Sequence, residues 1–337
     1  MNENKILHVM ILDKFLAPFI DFVDENFGRE NHHYVFITSE KYECGLTPEH
    51  KVEFLYTDDD IFITLLEYMK MAKKIILHGL WRDKVDILLY FNQELLKKCY
   101  WAMWGGDFYF PETKSKIRHE IIKNMGYCLT TIMNDYDLVK KQYKTKAKLV
   151  LLHVGYPSNL YKEYKINKKE KNTINIQIGN SATSTNNHIE ILKKLLKYKN
   201  EDIQIFAPLS YGDKEYAKEV MDYGKKAFGD KFIALTEFMP FEKYLEFLGS
   251  IDIAIFNHKR QQAMGNTITL LGLGKKVYMR NDVTPFKLFS NIGVKIFDVE
   301  NIELNLLDKE TKKSNQDRIK SYFSKNNLLE DCKIYLN

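Results

Sequence analysis

"TINIQIGNSATSTNNHIEILKKLLKY", residues 173–198, reads as a strand closed by Gly-Asn-Ser, a polar loop, and a helix beginning near Asn187. The same order then repeats. "DIQIFAPL" (strand), "KEYAKEVMDYGKKAF" (helix), "KFIALTEFM" (strand), "FEKYLEFLGS" (helix), "IDIAIFNH" (strand), "TITLLGLG" (helix) and "KKVYMR" (strand) follow in turn. Strands separated by helices imply a parallel sheet wrapped on both faces, so this half reads as a doubly wound α/β domain.

Working back toward residue 1, the grammar is the same. Strand candidates are "KILHVMIL", "HYVFIT", "VEFLYT", "KKIILHGL", "CYWAMWG", "GYCLTT" and "KLVLLHVGYP". Helices are predicted near 14–28, 61–72, 84–98 and 114–124; in the third, Val85, Leu88, Leu89, Leu95 and Leu96 fall close to helical spacing. The 337 residues exceed what one compact core usually holds. The expectation is a first domain over 1–160, a second over 173–316, a lysine-rich hinge at 161–172, and a C-terminal helix over 317–337 packing back on the first. Two such domains facing one crevice would bring both sets of strand ends to it, which is where open α/β sheets bind ligands.

Composition excludes more than it selects. At 45% hydrophobic and 28% charged residues the chain is an ordinary folded one. The N-terminus "MNENKILHVMILDKFLAPF" lacks the basic flank and long apolar run of a secretory signal. No window approaches the ~20 apolar residues that span a bilayer. Cys44, Cys99, Cys128 and Cys332 are scattered without C-x-x-C spacing, as in a reduced cytoplasmic protein without structural zinc. The net charge of +5 is mild. Lys114, Lys116, Arg118, Lys123, Lys140, Lys141, Lys144, Lys146, Lys148 and "YKEYKINKKEKN" nevertheless cluster. They read as solvated helix faces or as attraction to an anionic membrane surface. No nucleic-acid-binding motif accompanies them.

Chemistry is expected just after strands. Gly179, Asn180 and Ser181 permit a tight turn and offer groups for free helix amides or an anion. "FNHKRQQAMGN" places Asn257, His258, Lys259, Arg260, Gln261 and Gln262 between a strand and a helix beginning near Gly265. Arg260 and the helix start suit a phosphate. Glu237 before Pro240, and Pro208 with Tyr211 in "APLSYGD", read first as ordinary loops. In the first half, "ILHGLW" puts His78 and Gly79 at a strand end. "AMWGGDFYF" lets Gly105 and Gly106 close a strand and leave Asp107 at the crevice, either as a cap or as a group meeting acceptor hydroxyls. "YTDDDIF" reads as a helix cap rather than a metal loop.

"LHGLW…YWAMWGGDFY", "IQIGNS…NNHIEIL", "APLSYG" and "FNHKRQQAMGN…LLGLGKKVYMR" resemble, in order and spacing, the bacterial TDP-N-acetylfucosamine:lipid II N-acetylfucosaminyltransferases, glycosyltransferase family 56. The resemblance runs from about residue 75 to 282. It implies a GT-B fold, two Rossmann-like domains with the acceptor on the first and a nucleotide-diphosphate sugar on the second. It implies no metal or other cofactor. It also implies work on the inner face of the cytoplasmic membrane, where a sugar is added to an undecaprenyl-diphosphate-linked saccharide for surface polysaccharide. Gly106, Ala263 and Leu80 stand where the family carries alanine, glycine and glutamine.

On this reading the donor side holds Gly179, Asn180, Ser181, Pro208, Tyr211, Glu237, Asn257, Arg260, Gln261, Gln262, Gly265 and Asn266. The acceptor side holds Gly79, Trp104, Gly105 and Gly106. Asp107 is the candidate for orienting or deprotonating the acceptor hydroxyl, with His78 the second candidate base. Three alternatives stay open: the same fold with another nucleotide sugar or acceptor, a nucleotide-sugar 2-epimerase, and a two-lobed small-molecule binding protein.

Overall fold

The structure, a computed structural model, describes residue 1, residues 3–164 and residues 173–337. The chain forms two compact units: unit 1 comprises Met1–Leu160 and Ser324–Asn337, and unit 2 comprises Tyr161–Phe323. Residues 165–172, most of the expected hinge and of its basic run, lie outside the described residues.

Unit 1 is built on seven strands: β1 (Ile6–Met10), β2 (His32–Ile37), β3 (Glu53–Leu55), β4 (Lys74–His78), β5 (Cys99–Ala102), β6 (Tyr127–Thr130) and β7 (Lys148–Leu151). Their order in the sheet is β3-β2-β1-β4-β5-β6-β7. Every neighbouring pair is parallel. The order reverses between β1 and β4, so the crevice beyond their carboxyl ends is the natural ligand position of this sheet. The crossover helices are α1 (Leu16–Val23), α2 (Leu66–Met71), α3 (Asp83–Phe91), α4 (Lys116–Asn124) and α5 (Met133–Tyr143). α5 went unread in the sequence because "MNDYDLVKKQY" is mostly polar and buries only Asp135, Val139 and Tyr143.

Unit 2 repeats the plan with β8 (Ile174–Ile178), β9 (Ile203–Pro208), β10 (Phe232–Leu235), β11 (Ile253–Phe256), β12 (Lys276–Met279) and β13 (Phe297–Asp298), ordered β10-β9-β8-β11-β12-β13. All these pairs are parallel too, and the order reverses between β8 and β11. Its helices are α6 (His188–Leu195), α7 (Lys214–Phe228), α8 (Phe241–Ser250), α9 (Met264–Gly272), α10 (Thr284–Asn291) and α11 (Lys309–Tyr322). Each sheet has its own apolar core, with Leu7, Leu77, Trp101 and Phe108 in unit 1 and Ile178, Ile205, Ile255 and Tyr278 in unit 2.

The second-domain boundary expected at residue 316 falls inside α11. That helix stays with unit 2 through Phe323, and the segment belonging to unit 1 is α12 (Lys325–Leu336). The physical reason is burial: α11 sends Ile319 into the unit 2 interior while Asp331 of α12 accepts from the backbone amides of His153 and Val154, both at 2.7 Å.

Candidate functional site

In unit 2 the polar residues gather where the strand order reverses. Gly179 follows β8 with a φ of +62°, and its amide donates to Ile255 O on β11 at 3.0 Å. Only a residue without a side chain fits there, because a Cβ would lie 2.3 Å from His188 Nε2 and 2.7 Å from Asn186 Oδ1. Asn186 then works as a hub. Its Oδ1 accepts from the Asn180 amide at 3.0 Å and faces His258 Nε2 at 2.8 Å, while its Nδ2 donates to Ser181 Oγ at 3.3 Å.

The loop after β11 is tied to the same hub. Asn187 Nδ2 donates to Asn257 O at 2.9 Å. Gln262 Nε2 donates to Asn180 Oδ1 at 3.1 Å, and its Oε1 accepts from Thr185 at 2.8 Å. Asn180 Nδ2 in turn donates to the Tyr211 hydroxyl at 2.9 Å. Asn180, Ser181, Tyr211, Asn257 and Gln262, picked out on sequence alone, therefore share one network, and Gly179 packs against its hub Asn186. Arg260 Nη1 donates to Gln261 O at 3.0 Å in the same loop, and Gly265 and Asn266 occupy the first turn of α9.

Two expected residues lie apart from that network. Pro208 ends β9, and Glu237 is exposed after β10, the edge strand. The hub residue Asn186 and His188, which faces the Tyr216 hydroxyl, are each 1% exposed. Burial holds His188 at a pKa of about 4 and His258 at about 3, so both imidazoles are neutral.

What the network leaves unpaired is informative. Asn257 is fully enclosed, yet neither its Oδ1 nor its Nδ2 has a hydrogen-bond partner. His188 Nε2 and Gln261 Oε1 are also buried and unpartnered. A buried polar atom without a partner costs about 1–3 kcal/mol, and here several collect at one strand-order reversal.

In unit 1, Asp107 is not where the sequence reading put it. Its side chain is not presented at a crevice: the residue is 1% exposed. Both carboxylate oxygens are occupied: Oδ2 accepts from Leu80 N at 3.0 Å and from Trp101 Nε1 at 2.7 Å, and Oδ1 accepts from Trp104 N at 3.1 Å. Burial pushes its pKa up while these donors hold it down. Asp107 ties the loop after β4 to the end of β5.

His78 is corrected in the same way. It is 2% exposed, with Nε2 3.1 Å from His8 Nδ1 and Nδ1 2.9 Å from the Tyr156 hydroxyl, so neither nitrogen is open to a substrate. Gly79, at a φ of +79°, lies under the Trp81 indole, as does Gly106. Gly105, at +66°, opens the turn that carries Asp107, and the half-buried Trp104 donates its Nε1 to Tyr156 at 2.8 Å. Sequence reasoning missed His8, His32, Trp81 and Tyr156. The signal for His8 was a histidine inside an apolar strand run, whereas His32 stands just ahead of its run. Arg118, counted among the basic cluster, is buried in an ion pair with Asp86.

Among the described residues no cluster of three or more His, Cys, Asp or Glu could hold a metal, and no helix is long and apolar enough to cross a membrane.

Two doubly wound parallel sheets in one chain, each with polar strand-end loops where the strand order reverses, define the GT-B class of glycosyltransferase folds. The chain belongs to glycosyltransferase family 56, matching the family described as 4-alpha-L-fucosyltransferase (glycosyl transferase group 56) over residues 11–327. It is similar to a solved glycosyltransferase from Rickettsia africae ESF-5, with a TM-score of 0.70, 13% identity, and coverage of 99% of this chain and 98% of that one. Anabaena Alr3699/HepE in complex with UDP gives 0.66 and 11%, covering 98% and 95%. WaaG, a glycosyltransferase involved in lipopolysaccharide biosynthesis, gives 0.58 and 11%, covering 98% and 95%. These likenesses carry the fold, and family membership makes the protein a glycosyltransferase rather than an epimerase or a binding module.

Proposed function

We propose that unit 2 binds a nucleoside-diphosphate sugar, with a TDP-sugar as the donor, where the strand order reverses between β8 and β11. The observation that carries this is Asn257, enclosed with both side-chain polar atoms unpartnered. A ligand that supplies a donor and an acceptor there would satisfy a side chain that the protein alone leaves unsatisfied. Arg260 and the first turn of α9, with Gly265 and Asn266, suit the diphosphate, whose developing charge must be stabilised as it departs. The UDP bound in the Anabaena relative supports a nucleotide site on this fold.

The sugar is an acetamidodeoxyhexose such as N-acetylfucosamine, and the acceptor is an undecaprenyl-diphosphate-linked saccharide held by unit 1 during bacterial surface-polysaccharide assembly. Family membership favours this pairing. Lys140, Lys141, Lys144, Lys146 and Lys148 are all exposed, and they suit peripheral attachment to the anionic inner face of the cytoplasmic membrane at ~1 kcal/mol per well-placed residue.

The test is calorimetric titration of TDP into the wild type and Asn257→Leu. Leucine has a similar volume and leaves nothing unpaired, so folding is retained while TDP affinity falls at least tenfold. Unchanged TDP affinity in this variant would sink the donor assignment. Transfer from a panel of nucleotide sugars to a lipid-linked saccharide then identifies the sugar.

A further inference from the structure

Three imidazoles in unit 1 form an unbroken chain. His32 Nδ1 lies 3.0 Å from His8 Nε2, His8 Nδ1 lies 3.1 Å from His78 Nε2, and His78 Nδ1 lies 2.9 Å from the Tyr156 hydroxyl. Trp104 Nε1 donates to that same hydroxyl. The three rings are at most 2% exposed, whereas Tyr156 and Trp104 are only half-buried. Burial keeps the rings neutral, with His32 at a pKa of about 4, His78 at about 3 and His8 well below its ordinary value.

Neutrality restricts the chain to two arrangements. Each nitrogen–nitrogen contact holds one proton, and each ring has one to give. In the first arrangement every ring carries its proton on Nε2. Tyr156 then donates to His78, His78 to His8, and His8 to His32. In the second every ring carries it on Nδ1, the donations reverse, and the Tyr156 proton is freed to turn outward. The two interconvert by hops along the whole chain, between Tyr156 and His32 Nε2, which is buried and unpartnered. An apolar trio would fill the same strand positions without leaving that nitrogen unsatisfied, so packing does not account for the chain.

Asp107 is enclosed and His78 stands behind Tyr156, so Tyr156 is the end of this chain that retains exposed surface. We propose that Tyr156 is a catalytic residue that meets the acceptor's reacting hydroxyl, and that His78, His8 and His32 form a relay carrying its proton inward. This rests on the assignment of the acceptor to unit 1. As the acceptor oxygen bonds to the anomeric carbon, the bond from that carbon to the diphosphate breaks. The electron pair leaves with the nucleoside diphosphate. The acceptor proton passes to the Tyr156 oxygen, the Tyr156 proton to His78 Nδ1, the His78 Nε2 proton to His8 Nδ1, and the His8 Nε2 proton to His32 Nδ1. His32 is left briefly as an imidazolium, its charge favoured by Glu30 and opposed by Arg29, and because its Nε2 is enclosed the proton returns along the same chain once the product has left and passes from Tyr156 to water.

The test uses the full chain with saturating TDP-sugar and a lipid-linked saccharide acceptor. Turnover is measured in H2O–D2O mixtures for the wild type, Tyr156→Phe and His8→Gln, and 15N-histidine NMR reads the tautomers at neutral pH. Glutamine holds a hydrogen bond but does not pass a proton. The expected result is one shared tautomer for His8, His32 and His78 and a curved dependence of rate on deuterium fraction in the wild type. His8→Gln then loses at least tenfold in kcat with acceptor KM within threefold, and its deuterium dependence becomes linear. Tyr156→Phe loses on the order of 100-fold. Mixed tautomers, or a His8→Gln kcat within twofold of wild type, overturn the relay. Uniform tautomers in a protein that transfers to no lipid-linked saccharide would instead reject the acceptor assignment, and with it the proton the relay is to carry. If His8→Gln does not fold, His32→Gln at the far end takes its place with the same readouts.

Discussion

The Trp101 indole donates to the Asp107 carboxylate at 2.7 Å in a space from which both residues are almost wholly withdrawn from solvent. With the amides of Leu80 and Trp104 on the same carboxylate, this contact fixes the loop after β4 against the end of β5. Asp107→Asn keeps the shape but turns an NH2 group toward donors. It should cost about 3 kcal/mol. The three tryptophans, Trp81, Trp101 and Trp104, all lie in unit 1, so tryptophan fluorescence reports on that unit alone. Its melting midpoint should fall by about 6–12 °C in this variant. A midpoint unchanged from wild type would show that the carboxylate is not what holds the loop.

The buried imidazoles of unit 1 give its stability a defined pH dependence. Their folded pKa values lie below the ordinary 6.5, at about 4 for His32 and about 3 for His78, with His8 also well below. Unfolded chains bind protons at these sites below pH 6.5 while the folded protein does not. Their contribution is therefore fully present above about pH 7 and is lost as pH falls toward 4. Three such groups give a slope approaching about 4 kcal/mol per pH unit. Urea midpoints read by tryptophan fluorescence should be flat above pH 7 and decline steadily below 6.5. A flat profile down to pH 5 would mean the imidazoles are charged in the folded state.

Ala263 holds a left-handed conformation, φ +56°, immediately before α9. A side chain there is strained by about 1–2 kcal/mol, partly offset by the greater entropy that glycine loses on folding. Ala263→Gly should therefore stabilise unit 2 by about 0.5–1 kcal/mol, read as a higher urea midpoint by circular dichroism. A lower midpoint would show that the loop tolerates this alanine without strain.

Gly179→Ala makes the opposite change. The added methyl meets His188 and Asn186 at a backbone angle that alanine resists. TDP affinity should drop more than tenfold while the fluorescence melt of unit 1 stays in place. Retained affinity would separate the hub around Asn186 from nucleotide binding.

Much of this was legible because apolar strands bounded by polar loops follow a local rule. Six of the seven strands of unit 1 and β8 through β12 of unit 2 lie within their expected runs, and β2 begins one residue before its run, at His32. The strand-end residues of unit 2 were legible because Gly179, Asn180 and the Asn257–Gln262 loop are unusual where they stand. Asp107 was misplaced for a different reason. Two of its partners are backbone amides, which leave no mark in the sequence, and the third is the Trp101 indole, whose direction only the fold sets. The imidazole chain was hidden because His8, His32 and His78 come from three strands that only the sheet order brings together. α11, with few apolar residues to set a period, shows its buried positions only through Asn315 and Ile319.

The place of α12 bears on synthesis. Asp331 takes the amides of His153 and Val154, and the Lys74 ammonium donates to Tyr335 O at 3.1 Å, yet these partners leave the ribosome only after the whole of unit 2. Unit 1 begins first and is completed last. During translation, unit 2 can therefore mature while unit 1 still waits for its closing helix, so a chain interrupted before α12 would carry a finished unit 2 and a unit 1 whose Lys74, His153 and Val154 lack the partners that α12 supplies.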